Sequence, residues 1–419
     1  MSSSTDSTIP ALTSTAGTEP FQYFDRLRSA DPVHWDESMQ AWVVTDYTLA
    51  KGVMREDKKS FRHPFADMMT EAMIAIEGGP RARNFQHGET HGRMHRWLLS
   101  QFHARKVDEW RTTLIRPILD ELIARFAADG HVEIMRQLAD PFPVRVIAAV
   151  MDLPWRDDGW IAECKRLMDA KLEYLQHQGQ HEDPDLAART IKAMNDLNDL
   201  VRPFVDARRD GTGSDFISET WKAGTTLIPD WNDTDTLGMV TGMFFAGSDT
   251  TMHTISNAFH VLLHDPALMA RLRTEGTPAV ERFTEEILRL HGAVQFRLRK
   301  ANEDTEVGGV PIKKDQTVLN LHAAANRDPA VWGTEAGTVN LDREGPLRPR
   351  DHLAFSFGPR TCAGAALARA EIQEAVAAML RWFPDLALDE SADRPEYSGF
   401  ALRSYAPVSA VFAPVATGA

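Results

Sequence analysis

The sequence predicts a mainly helical fold with small β-sheets. Apolar residues recur at helical spacing through most of the chain. A short tract of Gly/Pro-punctuated strands interrupts them after residue 305. No internal repeat and no low-complexity linker divides the chain, so it reads as one mixed unit despite its 419 residues.

Each element follows from its own pattern. Residues 1–19 are polar and rich in Ser and Thr, which predicts a disordered or loosely packed arm ahead of a single domain over 20–419. The arm has no basic start and no apolar core, so it is not a secretory signal. "FQYFDRLRSA" is amphipathic, and "PVHWDESMQAWVVTDY" reads as a hairpin with Trp35 and Trp42 flanking a polar turn. "KVDEWRTTLIRPILDELIARFAADG" predicts a helix stopping at Gly130, and "DLAARTIKAMNDLNDLVRPFVDARRDG" predicts another. The stretch 233–266 predicts one long central helix, capped near Asp233 or Asp235 and ended by Pro266. "PAVERFTEEILRLHG" predicts a helix ended by Gly292, and "EVGGVPIKKDQTVLNL" short strands. A long irregular segment rich in Gly, Pro and Arg leads to a last helix from about Cys362 to Phe383, then a strand-like tail.

Composition limits function. Forty-six basic against sixty acidic side chains give a net charge of −14, which disfavours a nucleic-acid binder. No run of about 18 apolar residues occurs, so no membrane span is expected. Two cysteines do not make a disulfide framework, and the expected compartment is the cytoplasm.

The segment 355–371, "FSFGPRTCAGAALARAE", places Cys362 between a Gly/Pro loop and a strong helix former. A helix start favours a thiolate. Gly358 and Gly364 allow close approach to a flat partner, and Arg360 offers a fork for a carboxylate. These features suit a haem held by an axial cysteine. A buried free cysteine acting as a small hydrophobe is the alternative, and on this segment alone both readings stand.

The segment resembles the haem-binding signature of cytochrome P-450 monooxygenases: Phe355, Gly358, Arg360, Cys362 and Gly364 match, and Ser356 replaces the usual first glycine. Three further stretches match in the family's order. "FFAGSDTT" resembles the helix that crosses the haem, with Ala246 and Gly247 leaving room for oxygen and Asp249 and Thr250 as an acid–alcohol proton relay. Ordinary back-bonding is the alternative for the threonine. "EEILR" resembles a buried pair, Glu286 and Arg289, joined by Arg343 from "VNLDR". "HGRMHRW" supplies His91, and His95 stands where the family usually has Arg, with Arg96 beside it. "RKA" supplies Arg299.

The resemblance implies the cytochrome P-450 fold, with haem between the long central helix and the Cys362 loop and helix. It implies haem b bound through Cys362 as iron ligand, with His91 or its neighbours, Arg299 and Arg360 on its carboxylates. It implies a pocket drawn from residues 61–85, Met243–Ala246, Ala293–Arg297 and Phe400–Leu402. Met243, Val294, Phe296, Arg297 and Phe400 are the pocket candidates, and Arg297 suggests an anionic or carbonyl-bearing substrate. The implied reaction puts one atom of O2 into an apolar small molecule by hydroxylation, epoxidation or O-dealkylation. The chain has no GxGxxG or GxxxxGK[ST] motif. Electrons would therefore come ultimately from NAD(P)H through a ferredoxin- or flavodoxin-type partner docking on the cationic stretch 91–106. A peroxide-driven peroxygenase and a non-catalytic haem-binding protein are the rival readings. His87, His91 and His95 at i, i+4, i+8 could suggest a metal face, but Gly88 and Gly92 weaken that helix and the haem reading takes precedence.

Overall fold

A computed structural model describes residues 11–15, 19–56, 59–67, 69–176, 183–344 and 347–416. The fold is mainly helical with small sheets, as the sequence predicts. Its axis is the helix Asp233–His264, which is apolar on most of its circumference. It buries Leu237, Val240, Phe244, Ile255, Phe259 and Leu262 among its neighbours. It packs against the helices Pro141–Val150, Pro184–Ala207, Thr277–His291 and Ala365–Trp382 and against the strand Arg403–Ala406. Asn232, not Asp233 or Asp235, is the N-cap. Its side chain accepts from the Thr234 and Asp235 N–H groups, while Asp235 reaches back to the Asn232 N–H at 2.8 Å. The helix stops at His264, two residues before Pro266, whose ring cannot continue it.

A five-stranded sheet lies to one side, in the order Val33–Asp36, Ala41–Val44, Thr317–Asn320, Arg297–Ala301 and Phe61–Arg62. The predicted hairpin opens it, with Trp35 opposite Trp42 and the rings 5.4 Å apart. Ala41–Val44 pairs parallel with Thr317–Asn320, and the other pairings are antiparallel. The sheet carries Arg297 and Arg299 towards the helical body.

The predicted helix over 106–130 is interrupted. Ala104–Trp110 passes through a π-turn, Arg111–Ile115, into Arg116–Ala124. The last helix begins at Ala365, three residues after Cys362. Residues 1–10 and 16–18 of the expected N-terminal arm lie outside the described residues. Within it, Leu12–Thr15 forms a 3-10 turn whose Leu12 and Thr15 are buried, pinned by Leu12 N–H to Asp36 at 2.8 Å and Arg403 to the Thr15 carbonyl at 2.9 Å. Among the described residues no helix is long and apolar enough to cross a membrane.

Candidate active site

A cavity of about 440 Å³ lies between the central helix and the loop before Ala365. Cys362 sits on its floor. The loop that holds it is tightly specified. The Cys362 N–H donates to the Phe355 carbonyl at 2.9 Å, and the Thr361 hydroxyl to the Gly358 carbonyl at 2.7 Å. Gly358 has φ +75°, and a Cβ there would come within 2.8 Å of the Met54 carbonyl oxygen. Ser356 has φ +62°, so the non-glycine residue does adopt a left-handed backbone. The Arg369 guanidinium lies 4.6 Å over the Phe355 ring and fixes the loop to the following helix.

By surface area Cys362 is exposed, yet its thiol is fully desolvated. Depth is the better guide, because the surface it exposes is cavity wall rather than protein exterior. Its pKa is raised, chiefly by burial. The Gly364 N–H and the cations Arg297, Arg83 and Arg369 pull it down but do not prevail. The helix-start argument for a free thiolate therefore fails here: Cys362 precedes the helix, and desolvation outweighs the field. A bound metal ion would be what deprotonates it.

Opposite the cysteine, Met243, Ala246, Gly247 and Thr250 of the central helix line the cavity. Gly247 has a packing reason as well, since a Cβ would meet Ile147 Cγ1 at 3.0 Å. The Thr250 hydroxyl donates to the Ala246 carbonyl at 3.2 Å, the back-bonded arrangement. Asp249 is buried and turned away from the cavity lining. Lys165 donates to its Oδ1 at 2.8 Å, and its Oδ2 has no hydrogen-bond partner among the described residues. Burial raises the Asp249 pKa, and Lys165 offsets part of that rise. The structure thus places Asp249 and Thr250 side by side on the helix without a hydrogen bond between them. Lys165, itself shared with Asp169 at 2.6 Å and Asp140 at 3.4 Å, was not signalled by the sequence.

Val294, Phe296, Arg297 and Arg299 line the cavity from the sheet side, and Phe355, Arg360 and Gly364 from the cysteine loop. Phe400 does not line it. It is buried against Phe296 at 5.3 Å, and its neighbours Ala401 and Leu402 form the wall instead. The strand-end turn aims the aromatic ring into the smaller core cluster. His91 and His95 lie just behind the lining, stacked at 5.5 Å, while Met94 and Leu98 of the same helix face it. His95 is buried and Arg96 exposed, so of the two it is His95 that points inward. Burial, then Arg360 and Arg83, lowers the His91 pKa to about 3, and its Nε2 has no hydrogen-bond partner among the described residues. Among the described residues no group of three or more His, Cys, Asp or Glu side chains is placed to hold a metal ion.

Glu286 and Arg289 form a fully buried bidentate pair, both contacts 2.8 Å, and Arg343 joins at 3.0 Å. Arg289 and Arg343 also donate to the carbonyls of Ala336, Thr338 and Trp332, tying the irregular segment down. A second network is absent from the sequence reading. Glu285 binds Arg369 at 2.6 Å and His352 at 3.1 Å, so it braces the cysteine helix directly. Burial pushes Glu285 up, but hydrogen bonds from His352 and Arg369 overcome it and hold its carboxyl at about 2. His63 and Arg83, which fall in the expected segment 61–85 without being singled out in it, line the cavity, as do Lys171 and Glu371, which the sequence reading does not include. Their helices and turns carry no motif.

The residues fit a haem. A soft sulfur ligand faces the cavity, and a Cβ on Gly364 would stand in ordinary contact with it, 4.0 Å from Sγ. Several guanidiniums meet there to receive carboxylates.

Comparison with known proteins gives a consistent result. The model of the family described as cytochrome P450 matches residues 17–406. The chain is 29% identical to cytochrome P450 monooxygenase PikC of Streptomyces venezuelae, over 91% of this chain and 88% of that one. It is 30% identical to cytochrome P450 GfsF of Streptomyces halstedii, over 86% and 83%. The fold superposes on epothilone B-bound cytochrome P450epoK with a TM-score of 0.81 at 22% identity, covering 95% of this chain and 97% of that one.

Proposed function

The chain belongs to the cytochrome P450 family, a family of haem-containing monooxygenases, and from that premise we propose that it inserts one atom of O2 into an apolar small molecule by hydroxylation, epoxidation or O-dealkylation. One observation carries the reading: Cys362 lines one cavity together with Ala246 and Thr250 of the central helix. Haem b, when bound, supplies oxygen activation through its iron.

The protein's own residues do the rest. Cys362 would ligate the iron. Arg299 and Arg360 would take the cofactor's two carboxylates, with His91 and His95 behind them as hydrogen-bonding groups. Ala246 keeps the oxygen side of the cavity open. Thr250 Oγ1 is the hydroxyl able to hand a proton to oxygen, after release from the Ala246 carbonyl. Asp249 resupplies it by rotating away from Lys165, and its raised pKa favours carrying that proton. Met243, Val294 and Phe296 give the pocket an apolar wall that excludes water. Electrons would come from NAD(P)H through a ferredoxin- or flavodoxin-type partner. The exposed Arg96 and Arg105, on the stretch 91–106, offer that partner a cationic docking face.

The test is spectroscopic. Reduced protein under carbon monoxide should give the red-shifted Soret band of thiolate-ligated haem, and Cys362→Ser should abolish both that band and turnover. A Cys362→Ser protein that keeps them ends the proposal.

A further inference from the structure

Lys171 stands apart from the motif-bearing residues of the cavity wall. It belongs to the helix Asp158–Gln176, is only 5% exposed, and lines the cavity together with Glu77 and Asn84. Its ammonium lies 4.5 Å over the Phe245 ring and donates to the Ile76 carbonyl at 2.7 Å. An ammonium carries three N–H donors, and among the described residues the other two have no acceptor. Burial lowers the Lys171 pKa, while the opposite charges Glu77 and Asp249 act against that shift, but neither forms an ion pair with it. Glu77 is left open in the complementary way. Its Oε2 accepts from Asn84 Nδ2 at 2.6 Å, and among the described residues its Oε1 has no donor.

Both groups are held in place. The helix Glu71–Glu77 ends at Gly78, whose φ is +86°. A Cβ on Gly78 would come within 2.4 Å of Gly238 Cα, so this helix end rests directly on the central helix. Lys171 caps the same end through the Ile76 carbonyl. Capping accounts for one of its N–H groups, and buried donors left without acceptors are costly. The charges around the pair decide what can satisfy them. A carboxylate ligand would meet Glu77. An ammonium ligand would meet Lys171 and also Arg83, which feels the Glu77 charge from the other side. A neutral hydroxyl meets neither objection, because its oxygen accepts from Lys171 while its proton goes to Glu77 Oε1.

We propose that Lys171 and Glu77 form a hydroxyl-binding subsite of the substrate pocket, and that the substrate is an apolar alcohol whose hydroxyl bridges them while its skeleton lies along Leu172, Leu175 and Met243. The inference rests on the haem-thiolate reading above. The hydroxyl is a handle rather than the reacting group. Gly238, where the Glu77 helix end rests, precedes Ala246 by about 12 Å of helix. The carbon brought to the oxygen side of the cavity is therefore remote from the anchored hydroxyl.

The experiment titrates the ferric holoenzyme with three alcohols of different skeleton, adamantan-1-ol, dodecan-1-ol and cedrol, each against its methyl ether, following the Soret shift. At least one alcohol should bind about tenfold more tightly than its ether, with the blue shift of a ligand that stands clear of the iron. Lys171→Met and Glu77→Met should each erase that preference, and the double variant should lose no more than either single one, because one hydroxyl needs both groups. Ether binding and haem content, measured as pyridine haemochromogen, should hold in all three variants. If every alcohol binds like its ether, the pair does not read a substrate hydroxyl and the subsite does not exist. A red shift on adding alcohol would put its oxygen on the iron and overturn the proposal. If the variants weaken alcohol and ether alike, the pair only ties two helices together and the proposal is wrong. A normal carbon monoxide band with no alcohol preference sinks only this inference, whereas a missing band sinks the haem-thiolate reading itself.

Discussion

Ser356 holds a left-handed backbone conformation at φ +62° in the loop that presents Cys362. For a non-glycine residue that costs about 1–2 kcal/mol. Glycine would remove the cost but lose about 0.5–1 kcal/mol in unfolded-chain entropy. Ser356→Gly should therefore stabilise the protein by about 0.5–1 kcal/mol, read as a rise in the thermal midpoint. A fall would mean the weak Ser356 Oγ to Met54 Sδ contact at 3.4 Å matters more than the strain. Thr250 is the other residue whose effect can be isolated. Thr250→Ala should retain haem and consume reductant, while product per reductant falls by about 10²-fold and peroxide accumulates. Unchanged coupling would favour a peroxide-driven reaction. These residues were legible because spacing exposed them. Arg83 was covered only by the broad expected segment 61–85, because "RARNF" has no pattern, and only the turn Arg83–Phe85 brings it into one cavity with Arg297, more than two hundred positions away.

At the scale of elements, charge networks fix the cysteine loop to two helices. Glu286, Arg289 and Arg343 hold the irregular segment; Glu285, His352 and Arg369 hold the helix Ala365–Trp382. Removing one partner of such a buried set leaves an uncompensated charge and costs about 3–5 kcal/mol. Arg289→Met should lower the urea midpoint accordingly and reduce haem retention, measured by the ratio of Soret to protein absorbance. An unchanged midpoint would show that packing alone holds the loop. The i, i+3 spacing of Glu286 and Arg289 was visible in sequence, but that spacing is just as common on exposed helix faces. Burial of the helix Thr277–His291 on both sides is what turns a weak surface pair into a structural one. The same burial made Glu285 a network centre, and in "TEEILR" only the family motif, which picks out Glu286, distinguishes the two acids.

Across the whole molecule, buried neutral histidines couple stability to pH. Burial lowers His253 to about 4, with Lys165 adding to the effect, and burial then His264 lowers His260 to about 4. In the unfolded chain both return to about 6.5. Between these values the unfolded state binds more protons, so stability is complete above about pH 6.5 and falls as pH drops towards 4. Glu285, depressed to about 2, adds a further loss below the ordinary glutamate range. Thermal unfolding of the holoenzyme at pH 7.5, 6 and 5 should show a falling midpoint, and His253→Gln should flatten the trend. A midpoint constant over that range would contradict it.

The sequence by itself determined the helical class, the hairpin and the long central helix, and singled out Cys362 as a candidate ligand, because these depend on local periodicity and on fixed spacings within single segments. Tertiary structure alone decided which charges are paired, that Asp249 is held by Lys165, that Phe400 turns away from the cavity, and that Arg83 and Arg297 share it. The reason is physical. Desolvation and Coulomb energy depend on distances between segments far apart in the chain, and those distances do not exist until the helices pack.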